Sequence, residues 1–243
     1  MSKIYNQHAA LQNINISLRQ GVVAVIGPNG AGKTTLFSLC SGLDVPSRGT
    51  VMVCGHDPYR NHDKVAQIMG VLPEADGLIE GVPLSRQLEI YGGLFGLTGD
   101  QAKRRAIECI SALNLEDNAH TLPSRMSKGM RKRSALARAL LHDPKILILD
   151  EPTDGLDPIQ VVSLRNLLIE LKKAGKLILF NSHNLSEVAR ISDTIVVMSK
   201  GSVIFAGNKE HFIENSPHVG DEFAQMEVAY NALFERSQTI PAG

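Results

Sequence analysis

Residues 27–34 read GPNGAGKT, so Gly27, Gly32, Lys33 and Thr34 satisfy the spacing G-x-x-x-x-G-K-[ST], with Pro28, Asn29, Gly30 and Ala31 as the span of a loop. Residues of these types at this spacing can cradle phosphates. The glycines let the backbone curl so that successive N–H groups point inward, a following helix adds partial positive charge at its N-terminus, and Lys33 adds a full one. The Thr34 hydroxyl can reach a Mg²⁺ ion, and Thr35 is placed toward an α-phosphate. A second chemically able pair is Asp150 and Glu151, directly after the run ILIL. At the carboxyl end of a buried strand, Asp150 can hold Mg²⁺ beside phosphates, while Glu151 can orient, or take a proton from, a water attacking a γ-phosphate. An isolated Asp-Glu pair is as readily a solvated turn; a phosphate loop earlier in the chain favours the nucleotide reading.

Such residues act together only if strands and helices bring them to one edge. Val22 to Ile26 is a short β-branched run of the kind buried on both faces, and the runs 146–149, 177–180 and 194–198 repeat the signal. Helical patterns lie between them, notably at 34–41, 136–141 and 161–173, as a largely parallel sheet requires. Residues from about 75 to 142 differ: 84–94, 100–113 and 130–141 carry helical periodicity and no strand signal, which predicts an inserted helical subdomain. The stretch LQNINISL at 11–18 alternates apolar and polar residues and predicts a half-exposed strand, in a small antiparallel layer with 50–54. From Asp221 onward, Phe223, Met226, Tyr230 and Leu233 share one helical face, predicting a short helix on its own domain before a frayed QTIPAG end.

Composition excludes several classes. In 243 residues, 43% are apolar and 21% charged, which is ordinary globular composition. Twenty-five basic residues balance twenty-five acidic ones, so no global field steers the chain onto nucleic acid. Cys40, Cys54 and Cys109 lack C-x-x-C spacing and read as packing residues of a reducing compartment. No apolar run approaches the ~20 residues of a membrane span. The expectation is a cytoplasmic protein, for which any span at a membrane comes from another chain.

The run DEPTDGLDP at 150–158, preceded by SALARALLHDP at 134–144, resembles the segment joining signature helix, Walker B motif and D-loop in the ATP-binding cassette (ABC) ATPases. The resemblance extends from Tyr5 to about Gly207. It implies an α/β fold, a P-loop NTPase core with a mostly parallel sheet, an N-terminal antiparallel β layer and the inserted helical subdomain. The domain reading is an ATPase domain at 1–219, with core at 1–74 and 143–219 and subdomain at 75–142, then a helical tail at 220–243. MSKGM at 126–130 takes the place of the family's LSGGQ signature. Ser127 and Gly129 there precede a basic helix, so hydroxyl, free amides and helix dipole can form an anion site. In the family that site meets the γ-phosphate held by an opposite cassette. His183 in FNSH matches the switch histidine, Asp157 the D-loop aspartate and Tyr5 the aromatic that stacks on adenine. The basic run Arg131, Lys132 and Arg133 reads as a solvated helix face.

Two departures stand out. Glu74, in VLPE, replaces the usual Gln and offers an oxygen to Mg²⁺ at the cost of a further negative charge. Lys128 and Met130 replace signature residues. PEADGL with SKGM resembles the branch serving two-component exporters. The resemblance thus implies an ATP- and Mg²⁺-dependent ATPase subunit that powers export from the inner face of the membrane. Its partners would be a membrane-spanning subunit and a second cassette, as homodimer or heterodimer. A non-transport ATPase of nucleic-acid maintenance or translation is the alternative, but neither a long coiled-coil insertion between Lys33 and Ser127 nor a second phosphate loop is present.

Overall fold

The apolar runs form a six-stranded sheet whose two faces can be read from alternate residues. In the computed structural model, which describes residues 1–214 and 220–239 (without the side chains of 236–239), the strands are β1 (Lys3–Tyr5), β2 (His8–Leu11), β3 (Gly21–Ile26), β4 (Met69–Leu72), β5 (Ile146–Asp150), β6 (Leu177–Asn181), β7 (Thr194–Ser199) and β8 (Ser202–Asn208). The main sheet has the order β4-β5-β6-β3-β7-β8; it is parallel from β4 to β7, and β8 is antiparallel to β7. Val22, Ala24, Leu147, Leu149, Ile178 and Phe180 pack into one cluster, while Val23, Val25, Ile146, Ile148 and Leu179 pack into another. Side chains alternate across a strand, so a sheet covered on both faces needs apolar residues at every position. That is why the runs show no polar alternation.

Helices cover both faces: α1 (Lys33–Cys40), α2 (His62–Ala66), α3 (Leu84–Leu94), α4 (Gly99–Ala112), α5 (Lys128–Leu140), α6 (Pro158–Lys173), α7 (Leu185–Ile191), α8 (Lys209–Glu214) and α9 (Glu222–Thr239). The α4 helix starts on a reciprocal cap between Thr98 and Gln101. Leu84, Leu88, Ala106 and Ile110, from α3 and α4, belong to the same cluster as the strand residues on one sheet face. In α9, Met226 and Ala229 are buried and the helix packs on α7 and α8. At 18 residues α9 is longer than the short helix expected, and it takes in Gln238 and Thr239, which were expected to fray; residues 240–243, and the boundary drawn at 219, lie outside the described residues.

The N-terminal antiparallel layer exists but with other members. It pairs β1 with β2, whereas 12–18 and 50–52 form no ladder, and Val53 makes only an isolated bridge to His56. The alternation in LQNINISL arises because Leu11 and Ile14 are buried in the core cluster, with Ile16 and Leu18 packed against it. Its backbone is tied instead by single bonds, Gln12 N–H to Gly201 O and Ile14 N–H to Met1 O. Strands β4 and β8 escaped the sequence reading. Of the cysteines, Cys109 is buried and Cys40 half-buried, with burial pushing both thiols up to about 11, but Cys54 is exposed in a turn and is no packing residue.

Candidate nucleotide site

Because β5, β6 and β3 are adjacent and parallel, the residues that follow them meet at one sheet edge, where open α/β sheets bind ligands. A cavity of about 340 Å³ lies there, lined by residues 29–35 of the phosphate loop, by Glu74, Asp150, Glu151 and His183, and by Tyr5 at its rim. The loop's shape depends on Gly27: at φ +153°, a Cβ would sit 2.3 Å from the Met198 carbonyl oxygen. No other residue fits that approach. The Gly27 and Pro28 carbonyls accept hydrogen bonds from Lys33 Nζ at 2.7 and 3.1 Å, holding the lysine over its own loop. Burial draws the Lys33 ammonium below the ordinary lysine range, with Glu151 and Asp150 opposing. Gly32 caps α1, so the helix's free amides open onto the cavity beside that charge.

Opposite the loop stand the two acids. Asp150 is buried; its Oδ1 accepts from Asn181 Nδ2 at 2.7 Å and its backbone carbonyl from Lys132 Nζ at 2.8 Å. Glu151 turns sharply out of the strand at φ +47°, a left-handed conformation that costs a non-glycine residue roughly 1 kcal/mol. Its backbone N–H donates to Asn181 Oδ1 at 2.6 Å, and its Oε2 accepts from the His183 backbone N–H at 3.3 Å. Glu151 Oε1 lies 3.1 Å from His183 Nε2, yet that approach lacks hydrogen-bond direction and the buried oxygen has no hydrogen-bond partner. Burial raises the Glu151 carboxyl above its ordinary range, and His183 works against the rise. A carboxylate so placed, with one oxygen uncommitted, can receive a proton from a water.

The Thr34 hydroxyl, the Asp150 carboxylate and Glu74 bring oxygen donors to one wall, the donor type that Mg²⁺ selects. Among the described residues no three His, Cys, Asp or Glu side chains group to hold an ion alone.

Ser127, Gly129 and Asp157 are not in the lining of this cavity. Ser127 caps α5, its Oγ accepting from Met130 N–H at 3.2 Å and its own O–H left to donate. Asp157 caps α6 through Gln160 N–H at 2.9 Å. The two turns touch: a Cβ on Gly129 would lie 2.9 Å from the Gly155 carbonyl, and Lys128 Nζ pairs with Asp154 at 2.8 Å. Signature and D-loop therefore meet at one surface, and neither Ser127, Gly129 nor Asp157 lines the phosphate cavity.

The expected solvated face at Arg131 to Arg133 is not one. Arg131 clamps Asp76 at 2.7 and 3.0 Å and Glu80 at 2.7 Å, Lys132 is buried under Asp150, and Arg133 donates to the Leu113 and Asn114 carbonyls at 2.8 Å. The reason is packing, since α5 lies among α3, α4 and β4 and turns these three residues toward partners within the fold. Sequence reasoning also passed over Asn181, His8 and Ala10, which line the cavity. For Asn181 the available signal was a carboxamide closing an apolar strand.

The sequence pattern described as ABC transporter matches residues 11–154, more than half of the chain. The chain belongs to this family. It is an ABC-type ATPase cassette, and ATP is its nucleotide. This cassette is 33% identical over 243 residues to the "Nod factor export ATP-binding protein I" of Cupriavidus metallidurans, covering 97% of this chain and 80% of that one. To the "ABC transporter ATP-binding protein NatA" of Bacillus subtilis it is 35% identical, covering 85% of each chain. Among solved structures, one titled "Structure of ATP binding subunit of ABC transporter" matches at TM-score 0.85 with 26% identity, over 98% of this cassette and 97% of that chain. Another, of the ATP-binding cassette MJ0796 as a dimer in a post-hydrolysis state bound to ADP and Pi, matches at TM-score 0.79 with 25% identity over 85% and 95%.

Proposed function

We propose that this cassette powers export through separate membrane-spanning subunits, working as one of a pair that closes on ATP. The observation that carries the reading is the division of the site. Lys33, Asp150, Glu151 and His183 share one cavity, while Ser127 and Gly129 are not among its lining residues. In this reading one chain holds both halves of an ATP site, and its own signature does not line its own phosphate cavity. A second copy of this chain is the simplest complement, with Asp157 at the contact. The relative titled as a dimeric cassette supports the pairing, and relatives named for Nod factor export and bacitracin transport support transport over nucleic-acid work. Among the described residues no helix is long and apolar enough to cross a membrane, so the span is assigned to a partner and this chain to that membrane's inner face.

In this reading the 29–35 amides and Lys33 bind the phosphates, Tyr5 stacks on the adenine, and Thr35 lies toward the α-phosphate. Thr34, Asp150 and Glu74 hold Mg²⁺, which when bound neutralises phosphate charge. Glu151 orients the attacking water and accepts its proton, while His183 donates to the γ-phosphate. Residues 75–142 form the subdomain that passes closure on to the membrane partner. Lys33→Ala is expected to weaken binding of a fluorescent ATP analogue about 10- to 100-fold, the equivalent of one charge-assisted hydrogen bond. Unchanged affinity would remove the loop from the site. A copurifying partner that lacks transmembrane segments would contradict the transport role.

A further inference from the structure

We propose that Asn181 is a positioning residue of the hydrolytic site, aiming Asp150 and Glu151 together; this rests on the reading of those acids as the Mg²⁺ ligand and the water-activating group. Asn181 is 3% exposed and closes β6, with Asp150 of β5 on one side of it and Val25 of β3 on the other. The four residues before it in the strand are apolar. A carboxamide there must find partners or leave buried polar atoms unpaired. Its two ends meet two different acids. Nδ2 donates to Asp150 Oδ1 at 2.7 Å, and Oδ1 accepts the Glu151 backbone N–H at 2.6 Å. The reversed amide would set oxygen against carboxylate and N–H against N–H, so the chemistry of the partners fixes its orientation.

The second bond matters most for geometry. An extended Glu151 would continue β5, whereas its left-handed backbone turns the side chain toward His183, with Oε2 on the His183 amide. The Asn181 carboxamide accepts the Glu151 N–H where the strand ends. The first bond holds one oxygen of Asp150 in place on the cavity wall shared with Thr34. One buried side chain therefore sets the spacing between the group that holds the ion and the group that handles the water. Leucine can fill its volume but make neither bond.

The test compares Asn181→Leu and Asn181→Thr with the wild-type chain. For leucine we expect kcat for ATP hydrolysis to fall about 10- to 100-fold, the usual effect of losing a residue that orients a metal ligand. Threonine, able to keep one bond but not both, should lose about three- to tenfold. Affinity for a fluorescent ATP analogue without Mg²⁺ should stay within about threefold in both, since the phosphate loop is untouched. The Mg²⁺ concentration that half-saturates its enhancement of analogue binding should rise. Wild-type kcat in either folded variant overturns the proposal, as does a loss of Mg²⁺-free nucleotide affinity in parallel with kcat, which would mark a merely structural role. Should leucine prevent folding, threonine decides by the same criteria. A wild-type chain that binds ATP without hydrolysing it overturns the underlying reading instead.

Discussion

Glu151 concentrates the physical tensions of the site. It is a carboxylate, half-desolvated, on a strained backbone, with one oxygen uncommitted. Burial raises its pKa, and a base with a raised pKa loses its ionised form at a higher pH. The acidic limb of kcat against pH is therefore expected above the ordinary glutamate value of about 4.3. A limb at or below that value would show that another group controls the rate. The places of Lys33 and Glu151 on the cavity were legible because they rest on local order in the chain: a glycine-framed loop, and an acid directly after an apolar run. Lys132 and Asn181 were not. Each acts through a partner distant in sequence, Lys132 on the Asp150 carbonyl and Asn181 on both acids, and nothing in a one-dimensional pattern distinguishes a buried lysine from a solvated one.

Among elements, those read correctly are the ones whose burial imposes a period. The runs that became β3, β5, β6 and β7 had to be apolar throughout, since helices cover both faces, and α3, α4 and α5 had to show a stripe. Strand β4 is only four residues long and carries a glycine, so its signal is weak. Its place at the sheet edge is secured from outside, by α5 and by His142 just beyond that helix. The His142 ring stacks on Phe95 at 3.8 Å, and its Nε2–H donates to the Met69 carbonyl at 3.1 Å. Burial lowers its pKa, so the folded state resists protonation more than the unfolded chain does. Its contribution is complete above the unfolded value of about 6.5 and is lost as pH falls from there through the folded value. His142→Gln should flatten the decline of Tm with falling pH in that window. An identical slope in wild type and variant would show that the ring does not govern it.

At the scale of the molecule, the proposed function turns on which of the site residues share one cavity and which do not. Lys33 and the acids face one cavity, while Ser127 and Gly129 meet the D-loop and are not among its lining residues. This division could not be read from residue spacing, which gives order along the chain but not distance across it; it entered the sequence analysis only through the family resemblance. In the proposed function it would also tie hydrolysis to association, because a bound γ-phosphate would present charge to a second chain's signature helix. The most direct test uses Glu151→Gln, which should bind ATP but hydrolyse it slower by a factor on the order of 10² to 10⁴. Light scattering in the presence of ATP should then give twice the chain mass for this variant, and the single-chain mass once Lys33→Ala is added. A Glu151→Gln chain that keeps wild-type turnover and stays at the single-chain mass with ATP would contradict the account.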